Sequence, residues 1–158
     1  MSEEKDLKQA KTVFNSLCQM LEENDWHYEK HEDDLTIVCG AKGEDLPMEL
    51  IVQVDMKRQI IALMSQMPFT VPENRRSALA VAVSVANYGM VDGNFDYDYL
   101  SGRIIFRMTS SYRESLIGKK LLMYMLMCAC FTIDKYNDKF LSVAKTDMSL
   151  DEILELIK

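Results

Sequence analysis

Apolar positions recur along this chain with two different periods, and the switches between them mark the elements. Leu7, Ala10, Phe14, Leu17, Cys18 and Leu21 fall at helical spacing, so residues 4–24 are predicted to form an amphipathic helix with one apolar stripe. After Asn24-Asp25 the period drops to two. Trp26 and Tyr28 alternate with His27, Glu29 and His31 in a first strand, and Leu35, Ile37 and Cys39 mark a second, closed by the turn region 40–43. A third strand puts Met48, Leu50, Val52, Val54 and Met56 on one face and Glu49, Gln53 and Asp55 on the other, with Ile51 the exception. Lys57-Arg58 is the next turn. The fourth strand, 59–67, is apolar on both faces, which predicts a central strand covered on both sides at least in part.

Pro68 and Pro72 bracket a helix start, and Thr70-x-x-Glu73 fits a capping box for a helix running to about Asn87. The segment from Asn87 to Met108 fixes the architecture most firmly. Phe95, Tyr97 and Tyr99 share one face of a strand, as do Ile104, Phe106 and Met108, with Leu100-Ser101-Gly102 between the two runs. Asn94, Asp96, Asp98, Arg103 and Arg107 take the opposite face, the pattern of a half-buried antiparallel hairpin with pairing across it between the acids and the arginines. Ser111-x-x-Glu114 reads as a second capping box, opening a helix that runs to about Tyr136. Wound at about 100° per residue, this helix is apolar nearly all round in its middle. Leu122, Leu126 and Ile133 lie on one side; Met123, Met127 and Cys130 lie opposite, with Tyr124 and Phe131 between. A helix apolar on every face must be covered on every face, and the sheet covers only one. Ser149-x-x-Glu152 caps a last short helix too small to cover the rest.

These elements give an α+β fold: a mainly antiparallel sheet flanked by helices, in the order α-β-β-β-β-α-β-β-α-α. The 158 residues suit a single domain, 1–158, with no repeat or low-complexity linker. The net charge of −7, with Lys57-Arg58, Arg75-Arg76 and Lys119-Lys120 only as isolated pairs, argues against nucleic acid as partner. The longest apolar run, Leu121–Phe131, is short of the ~18–20 residues a bilayer span needs, so no membrane association is expected. The charged start MSEEKDLKQAK is unlike a signal peptide, and the four cysteines sit inside helical and strand patterns as small hydrophobes. The expected compartment is the cytoplasm.

Candidate chemistry is thin. His27 and His31 share a strand face about 13 Å apart at ~3.3 Å per residue, too far to hold one metal. Asp92-x-Asn94-x-Asp96 opens like a calcium loop, but Tyr97 stands where glycine is needed and Arg103 where a bidentate glutamate is needed. Cys128-x-Cys130 lacks the two-residue spacing of metal or redox motifs, and its thiols point about 200° apart on a helix. Gly118-Lys119-Lys120 lacks the glycine and the hydroxyl of a phosphate loop. No catalytic residue, cofactor or metal is assigned. The compositional oddity is twelve methionines, a side chain suited to adaptable interfaces. Met123, Met127, Cys130 and Phe131 are the candidate interface residues, with Met64 a further one.

The chain resembles the YbjN family, whose fold is similar to class I type III secretion chaperones. The resemblance rests on Met67-Pro68-x-x-Val71-Pro72, the helix body 75–87, Asn87-x-x-Met90-x-x-Gly93-x-Phe95 and the return strand Gly102-Arg103-Ile104-Ile105-Phe106-Arg107. It covers residues 5–137 and leaves 138–158 as a C-terminal helical extension. The resemblance implies a non-enzymatic bacterial domain linked to sensory transduction or stress regulation. Three functions follow as expectations: a regulatory interaction module acting as a homodimer, a chaperone-like binder of extended peptide or client segments, and a small enzyme of unspecified chemistry.

Overall fold

The computed structural model describes residues 2–158. Helix α1 (Ser2–Glu23) leads into a four-strand meander, β1 (Tyr28–His31), β2 (Thr36–Lys42), β3 (Pro47–Asp55) and β4 (Ile60–Gln66). Helix α2 (Arg76–Tyr88), preceded by a single 3-10 turn, crosses to the hairpin β5 (Asn94–Asp98) and β6 (Arg103–Ser111), and α3 (Lys119–Lys145) and α4 (Leu150–Ile157) close the chain. Among the described residues the strands form one six-stranded sheet in the order β1-β2-β3-β4-β6-β5. Every neighbouring pair is antiparallel. The α+β class and the element order are as the sequence patterning implies.

The sheet is covered on one face. Ile37, Cys39, Leu50, Val52, Val54, Ile61, Leu63, Ile104 and Phe106 all point to the helix side and are buried. There they meet Phe14, Leu17 and Leu21 of α1, Leu79, Ala82 and Val83 of α2, and Leu122, Leu126 and Ile133 of α3. The alternating register places Val38, Ile51 and Met64 side by side on the other face, where they are only half-buried. Strand β4 is central and its second face is covered only in part: Ile60, Ala62 and Met64 are half-buried there, because the described helices take the other side.

Two helix starts differ from expectation. Thr70 does not cap α2; the chain enters through the 3-10 turn Glu73–Arg75 with no side-chain cap. Nor does Ser111 start a helix. Strand β6 runs through Ser111, because Tyr112 is fully buried, donates its hydroxyl to the Asp55 carbonyl at 3.1 Å and its amide to the Gln59 carbonyl at 3.0 Å. The helix begins only at Lys119, and Phe140, Val143 and Ala144 carry its apolar period to Lys145 instead of Tyr136. The third capping box is present: Ser149 accepts from the Glu152 amide and Glu152 accepts from the Ser149 amide.

Two side chains fix the β5–β6 hairpin against α2. Asn87 donates to the Phe95 carbonyl at 2.9 Å and accepts from its amide at 2.8 Å. Arg76 donates to the Leu100 carbonyl at 2.6 Å across the hairpin turn. Gly102 sits there at φ +76°, against the Val71 backbone, where a Cβ would collide. Across the hairpin, Arg107 pairs with Asp96 at 2.9 Å.

Candidate functional site

Helix α3 is the middle of the helical layer, and its surroundings change around its circumference. Leu122, Met125, Leu126, Ala129 and Ile133 are buried against the sheet and the flanking helices. Met123 and Cys130 are half-buried at one flank. The outward stripe is open: Leu121, Tyr124, Met127 and Phe131 are exposed, Phe131 to 70%. Helix α4 buries Ile153 and Ile157 against the other end of the layer, among α2 and the last turns of α3, and leaves this stripe bare. Tyr124 reaches sideways to donate its hydroxyl to Asp92, and this acceptor pushes its pKa up to about 12. That bond brings the loop after α2 alongside the stripe, and that loop carries Val91, 97% exposed. Leu121, Tyr124, Met127 and Phe131 thus form an apolar stripe along the exposed side of α3.

The structure brings together four of the five sequence-derived interface residues and separates the fifth. Met123, Met127, Cys130 and Phe131 share one side of α3, with Met127 and Phe131 open and the other two receding. Met64 lies on the uncovered sheet face, on the far side of the molecule, beside Ile51 and Val38. Leu121 and Tyr124 also lie on the open stripe and were not among the candidates, although both were legible as apolar positions on the same helix.

Behind the strip, the end of the sheet and α3 diverge to leave a cavity of about 480 Å³. Trp26, Met48, Met127, Cys130 and Phe131 supply its apolar walls and Asp134 a carboxylate. Asp134 Oδ1 accepts from the Glu44 amide at 2.9 Å, tying the β2–β3 turn to the helix, and Gly43 lets that turn approach because a Cβ there would strike the carboxylate. A second, wider depression of about 880 Å³ lies at the same end of the sheet, bordered by Val38, Ile51, Gln66 and Pro68.

The titratable groups are arranged for structure. Burial pushes the Cys39 thiol up to about 12 and the Cys130 thiol up to about 11, the latter helped by the Asp134 charge, and it raises Cys18 as well. Such thiols stay protonated and are poor nucleophiles. His31 pairs with Glu29 at 3.1 Å on an exposed edge strand. The Asp92–Asp96 segment disperses its side chains: Asp92 goes to Tyr124, Asn94 to Asp96, and Asp96 to Arg107. Among the described residues no cluster of three or more His, Cys, Asp or Glu side chains is placed to hold a metal ion. None of the described helices is long and apolar enough to cross a membrane.

A family model named YbjN and described as "Putative bacterial sensory transduction regulator" matches residues 14–142. No curated protein matches the chain. Among solved structures, the chain is similar to one described as "Crystal structure of YbjN, a putative transcription regulator from E. coli". That similarity has a TM-score of 0.57 at 10% identity and covers 79% of this chain and 91% of the other. At that identity the likeness is one of fold.

Proposed function

This chain belongs to the YbjN family, and on that premise we propose that it is a non-catalytic regulatory module of the cytoplasm that works by protein interaction, pairing with a second copy of itself through the outer stripe of α3. The observation that carries this reading is the exposure of Tyr124, Met127 and Phe131 on a helix whose opposite face, Leu122, Leu126, Ala129 and Ile133, is buried. A two-fold axis close to Met127 would lay two α3 helices antiparallel and set Phe131 of one copy beside Tyr124 of the other. This is the self-complementary geometry of an isologous contact. Met123 and Cys130 then flank the contact and Met127 stands at its centre. Aromatic residues and methionine at the centre of such a patch match the composition of interface cores.

Methionine oxidation tests the pairing without altering the sequence. Brief peroxide treatment followed by mass spectrometry at rising protein concentration should protect Met127 from sulfoxide formation while Met64 oxidises as before. Equal oxidation of Met127 at every concentration would contradict the proposal.

A second reading rests on the uncovered sheet face. Val38, Ile51 and Met64 form an apolar row across three strands, and the short edge strand β1 leaves Gly40, Ala41 and Lys42 of β2 paired only to β3. An extended segment of a client protein would fit such a face by strand addition. Protection of Met64, with Met127 unchanged, on adding a peptide array of unstructured segments would favour this chaperone-like reading.

A further inference from the structure

The cavity between α3 and the end of the sheet has a chemistry that the pairing proposal does not use. Its walls are largely apolar and aromatic, and Trp26 and Phe131 stand on different parts of the chain, one in the connection between α1 and β1 and one on α3. The lining carries both signs of charge, with acids in the majority. Tyr28 is partnered with Cys39, so Ala41 and Met48 continue the helix-facing rows, and Asp25 and Lys42 also border the cavity, where the carboxylates of Asp25 and Asp134 outnumber the one lysine. The helix side contributes Asp134. Its Oδ1 is occupied by the Glu44 amide, whereas Oδ2 has no hydrogen-bond donor or cationic partner among the described residues. A carboxylate oxygen without a donor, set beside two aromatic walls in a cavity of about 480 Å³, is a receptor for a positive charge on an apolar body.

We propose that this cavity binds a small organic ammonium ion carrying an aromatic or branched aliphatic body. The ammonium group would donate to Asp134 Oδ2, and the body would lie between Trp26 and Phe131 over Met48 and Cys130. Cys130 contributes as a neutral wall, since burial and the nearby Asp134 charge keep its thiol protonated. Charge selectivity follows from the geometry: a neutral analogue keeps the apolar contacts and loses the ion pair, and an anion meets Asp134 with the wrong sign.

Trp26 is the sole tryptophan of the chain, so its fluorescence reports on this cavity directly. The full-length protein would be titrated with phenethylammonium, phenethyl alcohol and hydrocinnamate, which share a body and differ in charge. The expected result is a saturable change with the ammonium, binding of the alcohol about tenfold weaker, and no saturable change with the carboxylate. Asp134→Asn keeps an acceptor for the Glu44 amide and removes the charge. It should bring the ammonium down to the level of the alcohol while leaving the thermal midpoint unchanged. Met127 and Phe131 belong to both this cavity and the pairing face, so Asp134→Asn is the discriminating variant. Sedimentation of the same samples reads the pairing separately and should not change. No saturable response to any of the three, equal binding of the carboxylate, or an Asp134→Asn protein that binds the ammonium as before would overturn the proposal.

Discussion

The two halves of α3 differ in apolar content and have opposite fates: the first is the more apolar and the less covered. Toward its C-terminus, Tyr136, Phe140, Val143 and Ala144 are buried. Phe140 packs edge-on against Phe95 with ring centroids 4.9 Å apart, Tyr136 stacks on Phe140 at 5.8 Å, and Phe95 meets Phe106 at 5.4 Å. Arg75 closes that end by donating to the Val143 carbonyl at 2.9 Å. In the first half, Tyr124, Met127 and Phe131 have no such cover. Helical spacing alone does not say which half is covered, for the first is apolar nearly all round and the second is interrupted by Asp134, Lys135, Asn137, Asp138 and Lys139. The difference lies in what the rest of the chain delivers: the hairpin, α2 and α4 converge on one half and leave the other open. Apolar surface retained in the open half after every internal partner has been placed is the reason to assign it an external one.

Substitutions on the sealed half should have the largest effect on stability. Phe140→Ala removes a ring packed on two others and should cost ~3–5 kcal/mol, read as a lower urea midpoint. A loss below ~1 kcal/mol would mean that the aromatic cluster is looser than its geometry implies. Next comes the clamp that brings β5 to this cluster. Asn87→Ala deletes two hydrogen bonds to the Phe95 backbone and leaves its amide and carbonyl unpaired, for an expected loss of ~2 kcal/mol in thermal or urea unfolding.

Smaller effects attach to α4. Ser149→Ala removes the N-cap and should cost ~1 kcal/mol at neutral pH. The cap also carries a pH signature. The Ser149 backbone amide donates to Glu152 and holds its carboxyl below the usual range. A group depressed in the folded state stabilises above its unfolded value and loses that contribution as pH falls through its folded value. The difference between wild type and Glu152→Gln should therefore shrink on acidification below about pH 4, near the ordinary glutamate range. A difference that stays constant down to strong acid would separate the cap from Glu152. The smallest effect on stability belongs to the open half: Phe131→Ala should change unfolding free energy by less than ~0.5 kcal/mol, as for an exposed side chain, while weakening association.

Much of the architecture was legible in the sequence because alternation and helical periodicity are local. The β5–β6 hairpin, the third strand and the Ser149 cap follow from a few residues each. What was not legible depended on distant contacts. Ser111-x-x-Glu114 has the spacing of a capping box, yet Tyr112 is held by Asp55 and Gln59, more than fifty positions away, and keeps the chain extended. Strand β4 is apolar on both faces, but the described helices all take one of them. The candidate interface was half legible. Helical spacing grouped Met123, Met127, Cys130 and Phe131, while composition alone added Met64, which the sheet carries to the other side. The cavity beside Trp26 had no sequence signal, since its walls come from the connection between α1 and β1, the β2–β3 hairpin and α3.

Sedimentation equilibrium of wild type, Phe131→Asp and Met64→Asp, at concentrations up to tens of micromolar, tests the open half most directly. Pairing through α3 requires a concentration-dependent dimer for wild type and Met64→Asp, and a monomer for Phe131→Asp with an unchanged melting temperature. A wild-type monomer throughout, or a dimer that survives Phe131→Asp and dissociates with Met64→Asp, would contradict it.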